Sequence, residues 1–232
     1  MSKTLGVTKT LGVLGGMGPA ATLDFLAKLQ AATPAKREQD HLRVLVDINP
    51  KVPDRNVSDS DPGPVLAAMA AGLRDGGAQV LAIACNTAHA FAHEVRASGL
   101  PLVDMLEVAG QAARAAGATR VGVLGTGLAL GLYRDRLAHQ GLEVVTLDDH
   151  EQVEFMALLY RIKLGELGSD SRETMAALAH RLIGKGAEAV IAGCTEVPLV
   201  LGAADLAVPF IDATEALARA CVAACLEPDD RS

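Results

Sequence analysis

The sequence predicts an α/β protein of two duplicated α/β domains. Each has a parallel sheet, the two are related by a pseudo-twofold axis, and the active site lies in the interdomain cleft. Three observations predict it. Short apolar runs with the length of buried strands alternate with helical stretches along the whole chain. Landmarks recur at a nearly constant spacing: Gly12-Val13-Leu14-Gly15 and Gly122-Val123-Leu124-Gly125 are 110 residues apart (122 − 12), and Pro101-Leu102-Val103-Asp104 and Pro209-Phe210-Ile211-Asp212 are 108 apart (209 − 101). Between them stand two matching stretches, Leu81-Ala82-Ile83-Ala84-Cys85-Asn86-Thr87 and Val190-Ile191-Ala192-Gly193-Cys194-Thr195, with the cysteines 109 apart (194 − 85). A repeat of two copies with strand–helix alternation is an internal duplication and no solenoid. Ligands of open parallel sheets bind beyond the carboxyl ends of the strands, where both cysteines fall. A pseudo-twofold arrangement sets the two thiols facing each other.

The elements follow in order. Residues 11–14 read as a strand and Gly15–Gly18 as a loop, with Pro19 suited to the first turn of a helix to about Thr33. Val44–Ile48 is a second strand. The Pro-rich stretch Asn49–Asn56 is a loop at a strand end, a usual place for function. A helix from about Pro64 to Asp75 stops at Gly76-Gly77. The strand to Ala84 leads through Cys85 into a helix reaching about Ser98, and another helix covers Leu106 to about Ala116. In the second half, strands are expected at Val121–Leu124, Glu143–Leu147 and Ala189–Ala192. Helices are expected at about Leu130–His139, Val153–Lys163 and Arg172–Lys185, and a last one follows Asp212.

Composition excludes several classes. Half the residues are apolar, yet there are four Phe, two Tyr and no Trp, so the core is aliphatic, as in sheets covered by helices. A net charge of −7 offers no footprint for nucleic acid. No apolar run approaches the roughly 18 residues of a membrane span. Lys3 and Lys9 before Leu11–Met17 mimic a signal peptide, but Gly15, Gly16, Gly18 and Pro19 interrupt it, and a cytoplasmic protein is expected. Lys3–Val7 repeats Lys9–Val13 and is expected to be a frayed extension. Four cysteines in a chain this long are no disulfide scaffold, and Cys221 and Cys225 read as core packing on a helix. The glycine loops have Ala21 and Leu130 where a dinucleotide fingerprint needs its third glycine. His89 and His93 have the spacing of a metal pair without a third ligand nearby, so no metal is expected.

Two acid/base groups on opposite sides of a carbon can invert it: one thiolate removes the proton, and the opposing thiol returns one to the other face. A thiol with a pKa of about 8.5 can serve either way once its surroundings tune it. A cysteine at a helix N-terminus is expected to favour the thiolate, and Asn86, Thr87 and Thr195 offer donors for a carboxylate. Arg55 and Lys163, a cationic pair in an acidic protein, fit a dicarboxylate ligand. Each has a structural alternative, Arg55 as a solvated loop charge and Lys163 as a helix C-terminal cation.

Gly15-Gly16-Met17-Gly18-Pro19, Cys85-Asn86-Thr87-Ala88-His89 and Gly193-Cys194-Thr195-Glu196-Val197-Pro198 together resemble the cofactor-independent aspartate racemases of the aspartate/glutamate racemase superfamily. The likeness extends to Val52-Pro53-Asp54-Arg55, Ile162-Lys163-Leu164-Gly165 and Pro209–Glu215. Glutamate racemases are less similar, since they open with Asp-Ser-Gly and continue the second motif as Gly-Cys-Thr-His. The resemblance implies Cys85 and Cys194 as catalytic acid/bases. It implies Asn86, Thr87 and Thr195 around the α-carboxylate and amino group, Met17 and Thr126 lining the site, and Arg55 and Lys163 on the side-chain carboxylate. Apart from the resemblance, His89 is expected to support Cys85 or to pack locally, and Glu196 to orient Cys194 or to stand as a first-turn acid favoured by the helix dipole. The resemblance also implies no pyridoxal phosphate, a homodimer, and a small dicarboxylic amino acid as substrate. Residues 1–105 would form the first domain and 106–212 the second, with helix 213–228 packing back on the first. The alternatives are a maleate isomerase or hydantoin racemase of the same superfamily, or a non-catalytic two-lobed dicarboxylate-binding protein.

Overall fold

The structure, a computed structural model, describes residues 8–226. The duplicated Lys3–Val7 copy and positions 227 and 228 of the expected last helix lie outside the described residues. The first half runs β1 (Leu11–Gly15), α1 (Pro19–Ala32), β2 (Val44–Ile48), α2 (Gly63–Asp75), β3 (Val80–Ile83), a 3-10 segment Thr87–Phe91, α3 (Ala92–Arg96), β4 (Leu102–Val103) and α4 (Met105–Ala115). The second runs β5 (Arg120–Val123), α5 (Gly127–His139), β6 (Glu143–Val145), α6 (Asp149–Lys163), α7 (Ser169–Gly184), β7 (Ala189–Ala192), β8 (Phe210–Asp212) and α8 (Ala213–Leu226).

Each half carries a four-stranded parallel sheet, ordered β2-β1-β3-β4 and β6-β5-β7-β8. The identical order is the duplication in three dimensions. The central strands β1, β3 and β7 are buried along their whole length, which explains why they read as unbroken apolar runs. Gly12 and Gly122 occupy equivalent places on the central strands. A methyl group on Gly12 would stand 2.7 Å from Leu81 and 2.8 Å from Ala78; on Gly122 it would meet Leu182 at 2.9 Å. Both glycines let the chain that covers the sheet come close.

The halves are joined by reciprocal packing. α4, at the end of the first half, lies against α5, and α8, at the end of the second, lies against α1; α4 and α8 also pack on each other. One apolar core therefore includes Val13 and Ala82 of one sheet and Val123 and Ile191 of the other, with Cys221 and Cys225 buried in it. Separate outer cores form under α2 and under α6 and α7. The reciprocity extends to single atoms. Asp104 caps α4 by accepting from the Leu106 and Glu107 amides, and Asp212 accepts from those of Thr214 and Glu215. Each cap is worth about 1 kcal/mol. Asp104 then pairs with Arg136 of α5 at 3.2 Å, as Asp212 pairs with Lys28 of α1 at 2.6 Å.

Several boundaries differ from the sequence expectation. α5 starts at Gly127 because Thr126 caps it, and α6 starts at Asp149 because Asp148 and Glu151 form a reciprocal cap. The long helix expected after Cys85 is a 3-10 segment followed by the short α3. Asn86 does not cap it, since its carbonyl oxygen is committed to Tyr133. Cys194 is likewise followed by only a 3-10 segment, Val197–Leu199.

Candidate active site

The loops that leave β1, β3, β5 and β7 carry Met17, the two cysteines and the residues that follow them, and Thr126; Arg55 lies in the loop after β2 and Lys163 ends α6. Cys85 stands two residues beyond β3 and is 3% exposed; its sulfur lies 3.3 Å from Thr87 Oγ1. Cys194 stands two residues beyond β7 and donates to Glu196 Oε2 at 3.0 Å, which also receives the Thr195 hydroxyl at 3.3 Å. Thr87 and Glu196 occupy the same place relative to their cysteines. The duplication thus presents one thiol to a neutral hydroxyl and the other to a carboxylate.

Burial pushes the Cys194 thiol well up, and the Glu196 charge and hydrogen bond push it further, against the pull of Lys163. The expected lowering of this thiol is overturned. No long helix starts there to supply a positive end, and the nearest charge is negative. Burial opposes the charge on Lys163, but Glu196, Cys194 and Cys85 outweigh it and hold its pKa up. Both thiols, Glu196 and Arg55 are within electrostatic reach of that one ammonium group.

A cavity of about 270 Å³ opens above them, lined by Met17, Asp54, Arg55, Tyr160, Lys163 and Glu196 among others. Loop residues 50–55 of the first half and α6 of the second form its walls. Arg55 donates to the carbonyls of Pro53 at 3.0 Å and Met17 at 3.3 Å, leaving its Nε without a partner. Glu196 Oε1 and Asn86 Nδ2 are also buried and unpaired. Buried polar atoms are normally paired, so the Arg55 Nε and Glu196 Oε1 left over on this cavity mark where a polar ligand fits. Tyr160 joins the two walls: its ring lies beside Lys163, 5.5 Å from the ammonium, and its hydroxyl donates to Asp54 at 3.4 Å. Burial disfavours the Asp54 charge, but the Asn56 amides, Arg55 and Lys163 hold its carboxyl below the usual range.

The structure brings Met17, Arg55, Lys163 and Glu196 onto one cavity. Cys85, Cys194, Asn86, Thr87 and Thr195 are buried in the strand-end loops and do not line it. Thr126 is buried and spends its hydroxyl on the α5 cap, not on the cavity. His89 does not touch the Cys85 thiol. Its Nδ1–H donates to the Cys85 carbonyl at 2.9 Å, and its Nε2 accepts from the Met105 amide at 3.1 Å. This fixes a neutral tautomer and uses both nitrogens that a metal would need; burial holds its pKa below the ordinary value. Among the described residues no three His, Cys, Asp or Glu side chains are grouped to hold a metal ion.

Sequence reasoning missed Tyr133, Tyr160, the bonding role of Asp54, and Gln152, which donates to the Gly125 carbonyl at 2.9 Å. One signal was available. The chain has two tyrosines, and both are at this site.

A family model described as Asp/Glu/Hydantoin racemase matches residues 14–221. The chain belongs to this family. A broad specificity amino-acid racemase, RacX, of Bacillus subtilis (strain 168) is 27% identical over 225 residues, 93% of this chain and 98% of its own length. The Picrophilus torridus aspartate racemase structure superposes with a TM-score of 0.82 at 26% identity, covering 94% of both chains. A glutamate racemase from Francisella tularensis subsp. tularensis SCHU S4, solved with D-glutamate, shares the fold at a TM-score of 0.69 and 19% identity, over 94% of this chain and 81% of that one. Membership in the racemase family accounts for the two parallel sheets. No helix among the described residues is long and apolar enough to cross a membrane.

Proposed function

We propose that this chain interconverts L- and D-aspartate, with glutamate as a second substrate, by proton transfer at Cα between Cys85 and Cys194 without a cofactor. The observation that carries the reading is the placement of Arg55 and Lys163 on one cavity, with both thiols in the field of Lys163. The two cations receive the side-chain carboxylate. Asn86, Thr87 and Thr195 would receive the α-carboxylate, the substrate reaching past the cavity lining to the strand-end loops that carry them. Glu196 Oε1, buried and without a partner among the described residues, accepts from the α-ammonium.

In one direction Cys85, as thiolate, takes the Cα proton. The electron pair spreads onto the α-carboxylate, where Asn86 stabilises the growing charge. Cys194, held as a thiol by Glu196, returns its proton to the opposite face, leaving Cys85 a thiol and Cys194 a thiolate. The reverse reaction exchanges the roles. A negative Glu196 disfavours a thiolate at Cys194, and the substrate ammonium beside Glu196 relieves that repulsion.

The assembly belongs to the same proposal. Leu23, Val46 and Ile48 are exposed apolar residues on or beside the edge strand β2, and a homodimer would cover them. Light scattering is expected to give about twice the chain mass of 23.9 kDa; that mass alone would remove this part. Specificity is tested by incubating the protein with L-aspartate, L-glutamate, L-alanine and maleate, followed by chiral chromatography. D-aspartate without added cofactor is expected. Fumarate from maleate, with no amino acid racemised, would replace the reading by an isomerase of the same family.

A further inference from the structure

The two cysteine loops meet on one side chain that no motif includes. Tyr133 lies in the middle of α5, in the second half, and is fully buried. Its hydroxyl donates to Asn86 Oδ1 at 2.7 Å, across the interface between the halves. Its ring packs on Gly193, the residue before Cys194. A methyl group on Gly193 would stand 3.2 Å from Tyr133 Cε2, 3.1 Å from the Leu124 carbonyl oxygen and 2.6 Å from Val123. One rigid side chain therefore touches the residue after the first cysteine and the residue before the second.

The bond to Asn86 has a chemical consequence. A primary amide presents either an acceptor or a donor to a ligand, depending on its flip. In the structure the Tyr133 hydroxyl donates to Asn86 Oδ1 at 2.7 Å, and burial pushes its pKa far up, so it keeps that proton. It never becomes a phenolate that would repel the amide oxygen. With Oδ1 held by Tyr133, Nδ2 is the end left free, and it is buried without a partner. A free donor suits a carboxylate; the flipped amide would set an oxygen against it. The same bond removes Asn86 as the cap of the segment that follows, leaving its side chain for the site.

We infer that Tyr133 is a positioning residue that locks the Asn86 amide with its donor toward the substrate carboxylate and holds the two cysteine loops at a fixed separation. The inference rests on the racemase reading for the identity of the carboxylate, but not for the orientation of the amide.

The test separates hydroxyl from ring. Tyr133→Phe keeps the packing on Gly193 and removes the donor. It is expected to raise KM for L-aspartate about tenfold with a smaller fall in kcat. Asn86→Ala is expected to lose at least as much, and the double variant no more than Asn86→Ala alone, since Tyr133 acts through Asn86. Tyr133→Leu removes the spacer as well and is expected to lose kcat in addition. A readout without turnover accompanies these. The Asn86 side-chain carbonyl 13C resonance should lose its hydrogen-bonded shift in Tyr133→Phe, and the Asn86 Nδ2 protons should move when L-aspartate or succinate is added to the wild type. Wild-type kinetics in Tyr133→Phe, equal losses from it with and without Asn86, or Nδ2 protons that ignore both ligands would overturn the inference. If Nδ2 responds to succinate and no amino acid is racemised, the racemase reading falls and the positioning role stands.

Discussion

Replacing Glu196 by Gln removes one negative charge while keeping the shape and an oxygen that can accept from Cys194. Glu196 Oε2 lies 3.0 Å from the Cys194 sulfur. Two unit charges about 4 Å apart interact by about 4 kcal/mol at an effective dielectric constant near 20. The retained hydrogen bond and the burial of the thiol keep part of the upward push, so the Cys194 pKa is expected to fall without reaching that of a free thiol. The assay is iodoacetamide alkylation over a pH series, with the Cys194 peptide followed by mass spectrometry. In the wild type the rate should rise only in the alkaline range, because burial and Glu196 both hold the thiol up. In Glu196→Gln the same rise should come at lower pH. An unmoved midpoint, or one that moves up, would show that Glu196 does not set the protonation of Cys194 and would refute the unequal-thiol mechanism.

Other perturbations probe separate parts of the account. Lys163→Met and Arg55→Met should each raise KM for L-aspartate about 10- to 100-fold, the worth of a charge-assisted hydrogen bond, and change KM for an amino acid without a side-chain carboxylate far less; equal losses on both substrates would remove these residues from side-chain recognition. Burial lowers the His89 pKa in the folded protein, so the unfolded chain takes the proton first. Its contribution is full above about pH 6.5 and is lost as pH falls, by at most about 1.4 kcal/mol per unit. Urea titrations between pH 7 and 5 should show a shallower slope for His89→Gln than for the wild type; identical slopes would contradict the buried neutral clamp. Gly193→Ala pushes a methyl group against the Leu124 carbonyl and Val123. A loss of about 1–3 kcal/mol is expected, read by calorimetry as a lowered Tm, and an unchanged Tm would show that the loop can relax.

The architecture was legible because it is periodic. Apolar strands at equal spacing, ending at Cys85 and Cys194, carry the sheets, their duplication and the strand-end location of the site. The cations Arg55 and Lys163 were legible as a pair by charge, and the structure sets them on one cavity. What was illegible depends on contacts between distant segments. Tyr133 meets Asn86 across 47 positions, and Tyr160 meets Asp54 across 106; no local pattern announces either. The helix expected at Cys85 failed for the same reason, since the Asn86 oxygen that would have capped it is spent on Tyr133. The Cys194 thiol was misread because the polar residues after it suggested a helix N-terminus, and only a 3-10 segment follows. In the fold Glu196 turns its carboxylate onto the sulfur.

The central claim is that two thiols act on one substrate carbon from opposite faces. The most direct measurement follows L-aspartate in deuterated water by NMR and chiral chromatography, with wild type, Cys85→Ala and Cys194→Ala side by side. The account predicts that the wild type replaces the Cα proton by deuterium and forms D-aspartate. Each alanine variant should form no D-aspartate, and at least one should still exchange the proton of a single enantiomer. Full racemisation by either variant would contradict it.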